Sequence, residues 1–204
     1  MPGGAGSGAY AELQAVSNFS FLHGGSHPQE LVATAAALGH EAIAIADRNT
    51  LAGVVRGHVA AKEAGIRFIP GARLDLVADL AAPDIAAGGE AGLSLICLPT
   101  DRDAWARLAV LLTTGKRRAP KGECWLSATD VLAAAAGQMI IAVPPAGLDD
   151  ERAHLFEVGL RDFAEVAPAP VFLAASRTCR GSDALRIARL AAHCTWHRVE
   201  PEHR

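Results

Sequence analysis

The sequence predicts an α/β fold made of repeated strand–turn–helix units. Three observations carry this. Short apolar runs recur along the chain, among them Ala42–Ala46 (AIAIA), Met139–Val143 and Val171–Ala175. Amphipathic stretches with helix start and stop signals separate them. Strands such as Ile140–Val143 show little polar alternation, as expected where both faces of a sheet are covered. Strands alternating with helices argue for parallel β-α units. Six such units in 204 residues suit a barrel or an open doubly wound sheet, and periodicity alone does not choose between them.

Each element has a local justification. Leu13–Phe21 partly alternates and ends at His23-Gly24-Gly25. Ser26-x-x-Gln29 then reads as a capping box, in which each side chain satisfies a free backbone N–H. That helix runs to Leu38 and stops at Gly39. The strand Ala42–Ala46 ends at Asp47, and the helix Leu51–Ala64 closes at Gly65. Phe68–Leu76 is a third strand, and Asp79–Gly92 a Gly/Ala/Pro-rich connection. Leu93–Leu98 is the fourth strand. Asp101–Thr114 is helical, with Trp105, Leu108, Leu111 and Leu112 on one face. A basic loop, Lys116–Lys121, comes next. Ser127–Ala136 is a short helix, Met139–Val143 a strand, Asp149–Val166 a helix, Val171–Ala175 a strand and Ser182–His193 a last helix. In either fold, chemistry belongs in the loops after the strands. Those are Asn18–Gly25, Asp47–Thr50, Arg73–Asp75, Thr100–Asp103, Pro144–Pro145 and Ser176–Gly181.

Composition narrows the function. Half the residues are hydrophobic and 20% are charged, which excludes a mainly disordered chain. The net charge of −3 gives no global pull toward nucleic acid or anionic membrane. The cysteines at 97, 124, 179 and 194 form no C-x-x-C pair and read as reduced cytosolic thiols. Residues 1–9 are expected to be a flexible start, without the features of a signal peptide. No apolar run approaches the ~20 residues of a membrane span. The protein is expected to be cytoplasmic.

Candidate chemistry is sparse. Asp47, at a strand's C-terminal end, is a metal-ligand or acid/base candidate; the more ordinary reading is that it caps the next helix or pairs with Arg48. His193, Cys194 and His197 form H-C-x-x-H but lack a convincing fourth zinc partner. His23 and His27 flank a glycine turn and are expected to face solvent. Four of the six residues in Lys116–Lys121 are basic (Lys116, Arg117, Arg118, Lys121), so the segment is either a phosphate contact or a solvated loop. Phosphate-loop, dinucleotide-binding and nucleophile-elbow motifs are absent.

Several segments together resemble one family. They are Tyr10–Gln14 with Ser17–Leu22 and Ser26-His27-Pro28; Ala46–Arg56; Ala61–Gly65 leading into Gly71–Leu74; Pro99–Arg102; and Gly115–Cys124. In this order they resemble the N-terminal polymerase-and-histidinol-phosphatase (PHP) domain of bacterial error-prone DNA polymerases, relatives of the replicative polymerase III alpha subunit. The likeness runs from about Tyr10 to Ala192. It implies residues 10–193 as the PHP domain, a distorted β/α barrel, seven-stranded in the family and here incomplete with about six β-α units. Residues 194–204 would be a polar tail. A barrel without its last strand exposes two edges, so marginal stability is expected.

The resemblance also implies a site and shows where it is altered. Active members hold metal ions at the strand ends. Their first motif, H-x-H, falls on Glu12 and Gln14. The second, Asp-His, falls on Asp47-Arg48, and a metal-binding glutamate falls on Arg73. A later histidine falls near Ser94. Glutamine is a weak ligand and arginine none. The expectation is a vestigial, metal-free pocket with Glu12 and Asp47 pairing to Arg48 and Arg73, and no catalytic residues. The parent polymerase, which would need Mg2+, acts in DNA-damage-induced mutagenesis and translesion synthesis. Its remaining domains, and DNA through them, would be this chain's partners. The alternative is a metal-dependent phosphoesterase or 3′-5′ exonuclease.

Overall fold

We describe a computed structural model of the chain over residues 10–77, 93–145, 150–175, 181 and 183–194. The expected flexible start lies outside these residues, as do the polar tail beyond Cys194, with His197, and all of the Asp79–Gly92 connection. In chain order the elements are β1 (Ala11–Ala15), α1 (Pro28–Ala37), β2 (Ala42–Arg48), α2 (Val54–Ala64), β3 (Arg67–Asp75) and β4 (Ser94–Pro99). They continue as α3 (Arg102–Arg118), α4 (Ala128–Ala134), β5 (Gln138–Val143), α5 (Asp150–Val166), β6 (Val171–Leu173) and α6 (Asp183–Cys194).

The six strands form one curled sheet in sequence order, a half-barrel, in keeping with the incomplete barrel that the resemblance implies. One expectation is corrected. β1–β2, β2–β3 and β5–β6 pair in parallel, but β4 is antiparallel to both its neighbours. The reason is register: β4 starts beside the end of β3, with Ser94 paired to Asp75, and so runs back along it. This reversal matters for function. It puts Ser94, the first residue of β4, opposite Asp75, the last residue of β3. It sends the Thr100–Asp103 loop to the far end, where Thr100 bonds the carbonyl of Gly137 before β5.

Alternation along each strand divides the core. Ile43 and Ile45 of β2 pack with Val32 and Ala35 of α1 and Ala61 of α2. Leu74, Leu95, Cys97, Ile140 and Ala142 pack under Leu108, Leu111 and Leu112 of α3 and Val131 of α4. The opposite face is strand-lined, with Ala44, Ala46, Ile96, Leu98 and Ile141. Apolar residues on both faces explain the weak alternation in the sequence. Each fully buried Leu or Ile contributes about 1.5–3 kcal/mol.

Boundaries shift where side chains compete with the backbone. β1 ends at Ala15 rather than Phe21, because Ser17 and Ser20 turn to bond Asp47. α1 is capped at His27, whose N–H donates to Glu30 Oε2 at 2.8 Å, and not at Ser26 with Gln29. Pro28 fits the first helical position and so sets the start. α3 continues through Gly115 to Arg118, so Lys116, Arg117 and Arg118 form its last turn rather than a loop. Cations there complement the helix C-terminus.

Gly115 shows why the helix is not broken. A Cβ at this position would lie 2.7 Å from Cys124 Sγ and 2.8 Å from Leu126 Cδ2. Helix propensity alone favours Gly115→Ala by about 1 kcal/mol. Overpacking costs ~1–3 kcal/mol and should win. We expect the variant to have a lower urea midpoint than wild type; an increase would show that the 120–126 segment yields freely.

Candidate functional site

β2 sends consecutive side chains to opposite faces, and this decides the fate of Asp47 and Arg48. Asp47 shares parity with Ile43 and Ile45 and points to the helix-covered side, where it is 1% exposed. Its Oδ1 accepts from the Ser17 N–H and the Ser20 hydroxyl, both at 2.8 Å, and its Oδ2 from the Ser17 hydroxyl at 2.7 Å. Ser20 Oγ in turn accepts the Arg48 N–H at 2.8 Å. Asp47 therefore pins the loop after β1 onto the end of β2. It pairs with neither Arg48 nor Arg73, contrary to expectation.

Arg48 shares parity with Ala44 and Ala46 and faces the strand-lined side. Arg73 and Asp75, two residues apart on β3, share parity with Ile69 of that same side. Arg48 Nη1 meets Asp75 Oδ2 at 2.8 Å, and Arg73 Nε meets Asp75 Oδ1 at 3.3 Å. Ser94 closes the group, accepting from Arg73 Nε and donating to Asp75 Oδ1, both at 2.7 Å. Asn49 stitches the strand ends together. In left-handed backbone at φ 52°, it donates its N–H to the Arg73 carbonyl and accepts the Asp75 N–H on Oδ1. Asparagine tolerates that conformation better than most residues. The side chains of Arg48, Arg73 and Asp75 are only 11–20% exposed. Burial pushes Arg73 below the ordinary arginine value, the nearby Arg48 charge adds to this, and Asp75 opposes it.

So Asp75, not Glu12 or Asp47, neutralises the arginines. The signal was its place two residues after Arg73, on the same face of one strand. Glu12 is engaged elsewhere, accepting the Tyr10 hydroxyl at 3.0 Å and the Gln14 N–H at 2.6 Å. Leu13, not Glu12 or Gln14, joins the strand-lined cluster. Among the described residues no hydrogen bond links Glu12 or Gln14 to Arg48, Arg73 or Asp75. Ser94, by contrast, is bonded to both Arg73 and Asp75.

The basic segment is split. Arg118 is spent on Asp130, with contacts of 2.6 and 3.2 Å. Arg117 lines a surface dip beside Val110, Thr113 and Thr114. Lys116 and Lys121 instead line a cleft of about 400 Å³ with Arg48. Asp130 also caps α4 through Ser127. Burial raises its pKa, but hydrogen bonds from Arg118 and Ser127 outweigh this and hold the carboxyl below its ordinary 3.8. The sign is that of a depressed acid. The stabilisation is present above the unfolded value and lost as pH falls through the folded one. An NMR pH titration should therefore give Asp130 a midpoint below 3.8; a midpoint at or above it would contradict the pairing.

The other candidates do not enlarge the site. His23 and His27 are exposed, as expected. His193 and Cys194 are described only as backbone of α6. Burial pushes the Cys97 thiol up to about 12 and raises Cys124, so neither is a poised nucleophile. Among the described residues no three His, Cys, Asp or Glu side chains gather to hold a metal ion, and no helix is long and apolar enough to cross a membrane.

Residues 12–155 match the family model described as the PHP domain. The chain belongs to the PHP domain family. An error-prone DNA polymerase of Caulobacter vibrioides is 48% identical over 181 residues, covering 89% of this chain and 15% of that protein. One from Ruegeria pomeroyi is 41% identical over 207 residues, covering 89% and 18%. The chain thus spans less than a fifth of the relatives it matches. The structure of an amidohydrolase from Chromobacterium violaceum, with bound sulfate and no metal, superposes with a TM-score of 0.64 at 18% identity, covering 92% of this chain and 84% of that one. The likeness to error-prone DNA polymerases read from the sequence is borne out.

Metal ions implied by the PHP family do not fit these strand ends. A cation would meet two guanidinium groups. At an effective dielectric of 20, one like-charge contact at 4 Å costs roughly 4 kcal/mol. The carboxylate that could offset it, Asp75, is already bonded to both arginines and to Ser94.

Proposed function

We propose that this PHP domain is a structural, non-catalytic part of an error-prone DNA polymerase acting in DNA-damage-induced mutagenesis and translesion synthesis. One observation carries the reading. Arg48, Asp75, Arg73 and Ser94 form a closed, hydrogen-bonded group at the strand ends, a position the family likeness assigns to metal ligands. The group ties β2, β3 and β4 together, so it supports the sheet rather than a reaction. The remaining polymerase domains would be its partners, and DNA would reach it through them. Hydrolysis of a 3′-labelled single strand and of a simple phosphomonoester tests the reading, with Mn2+ or Zn2+ supplied. We expect rates at the protein-free background. Metal-dependent turnover abolished by Arg48→Ala or Asp75→Ala would establish the phosphoesterase alternative.

A further inference from the structure

The cleft beside the arginine group has unused charge. Lys116 in the last turn of α3, Lys121 in the following loop and Arg48 at the end of β2 line it against one carboxylate, Glu123. Both lysines are exposed, and among the described residues neither has a hydrogen-bond or ion-pair partner. Arg48 spends one N–H on Asp75, and a guanidinium carries five donors. Asp75 divides its single charge between two arginines, so positive charge remains at the cleft wall. Glu123 is partly occupied as acceptor for Trp125 Nε1 at 2.8 Å.

Shape and aromatic content match the charge. The cleft's volume of about 400 Å³ falls within the ~300–1,000 Å³ common for ligand sites. Phe19 lines it and also lines an adjoining cavity of about 340 Å³, to which Phe21 and Trp125 contribute. Cations beside aromatic rings suit phosphate groups carrying bases that stack.

We propose that this double cleft binds nucleotide phosphate, with Lys116, Lys121 and Arg48 holding phosphate oxygens and Phe19 offering a stacking surface. The proposal rests on the reading of the strand ends as metal-free, and it assigns no role to Arg117 or Arg118. A free nucleotide and a single-stranded DNA backbone both carry such a phosphate, and the experiment separates the two.

The chain is titrated into a fluorescein-labelled oligothymidylate at low salt with EDTA, reading anisotropy, with dTTP as competitor. We expect binding whose log–log salt slope is about −2 for three cation–phosphate contacts. Lys116→Ala with Lys121→Ala should weaken it roughly tenfold and flatten the slope, while Arg117→Ala should match wild type. Displacement by dTTP assigns the cleft to free nucleotide; displacement only by unlabelled oligothymidylate assigns it to the strand. No binding of either probe would overturn the proposal, as would a double variant equal to wild type or Arg117→Ala weakening binding as strongly. Binding that appears only when Mn2+ or Zn2+ replaces EDTA would overturn the metal-free reading instead.

Discussion

Asp47→Ala should lower the unfolding free energy of the chain by about 3–5 kcal/mol. The substitution leaves the Ser17 N–H and the Ser17 and Ser20 hydroxyls without an acceptor in a buried place. Each stranded donor costs ~1–3 kcal/mol, and the hydroxyls can rotate toward other acceptors, which keeps the total below the sum. Against a typical stability of ~5–15 kcal/mol, that is a large share. Asp47→Asn keeps one oxygen acceptor and should cost less. Urea unfolding with and without EDTA checks both variants. A metal ligand would behave differently: its loss would destabilise only the metal-loaded chain. Equal midpoints for Asp47→Ala and wild type in EDTA would remove Asp47 from its anchoring role.

Asp75→Ala should cost about 2–4 kcal/mol. Breaking a buried pair from one side costs ~3–5 kcal/mol, and the partial exposure of Arg48 and Arg73 reduces this. The loss comes from two guanidiniums left facing each other, with Ser94 deprived of its acceptor. Adding Arg48→Met to Asp75→Ala should therefore recover part of the stability. A double-mutant cycle measures that coupling. Additive losses would mean that the arginines do not share Asp75.

The sequence made the sheet legible because β2, β4 and β5 are apolar on both faces, and Gly39 and Gly65 mark the helix ends. It hid the reversal of β4, since the alternation of elements is the same whichever way a strand runs. Asp47, Arg48 and Arg73 were visible as altered motif positions, but their partners were not. Pairing depends on which face each residue takes, and neighbours such as Asp47 and Arg48 must take opposite ones. Asp75 became visible as the shared partner only when β3 was placed between β2 and the start of β4. Likewise, four basic residues among six read as one patch, yet helical periodicity sends Arg117 away from Lys116 and Asp130 captures Arg118.

The most direct test is the metal content of the purified chain. The chain is incubated with Zn2+ or Mn2+, desalted and measured by mass spectrometry beside a variant carrying Arg48→His and Arg73→Glu. Two guanidiniums closed onto Asp75 predict substoichiometric metal in the wild-type chain. Near-stoichiometric zinc or manganese retained after desalting would contradict the account.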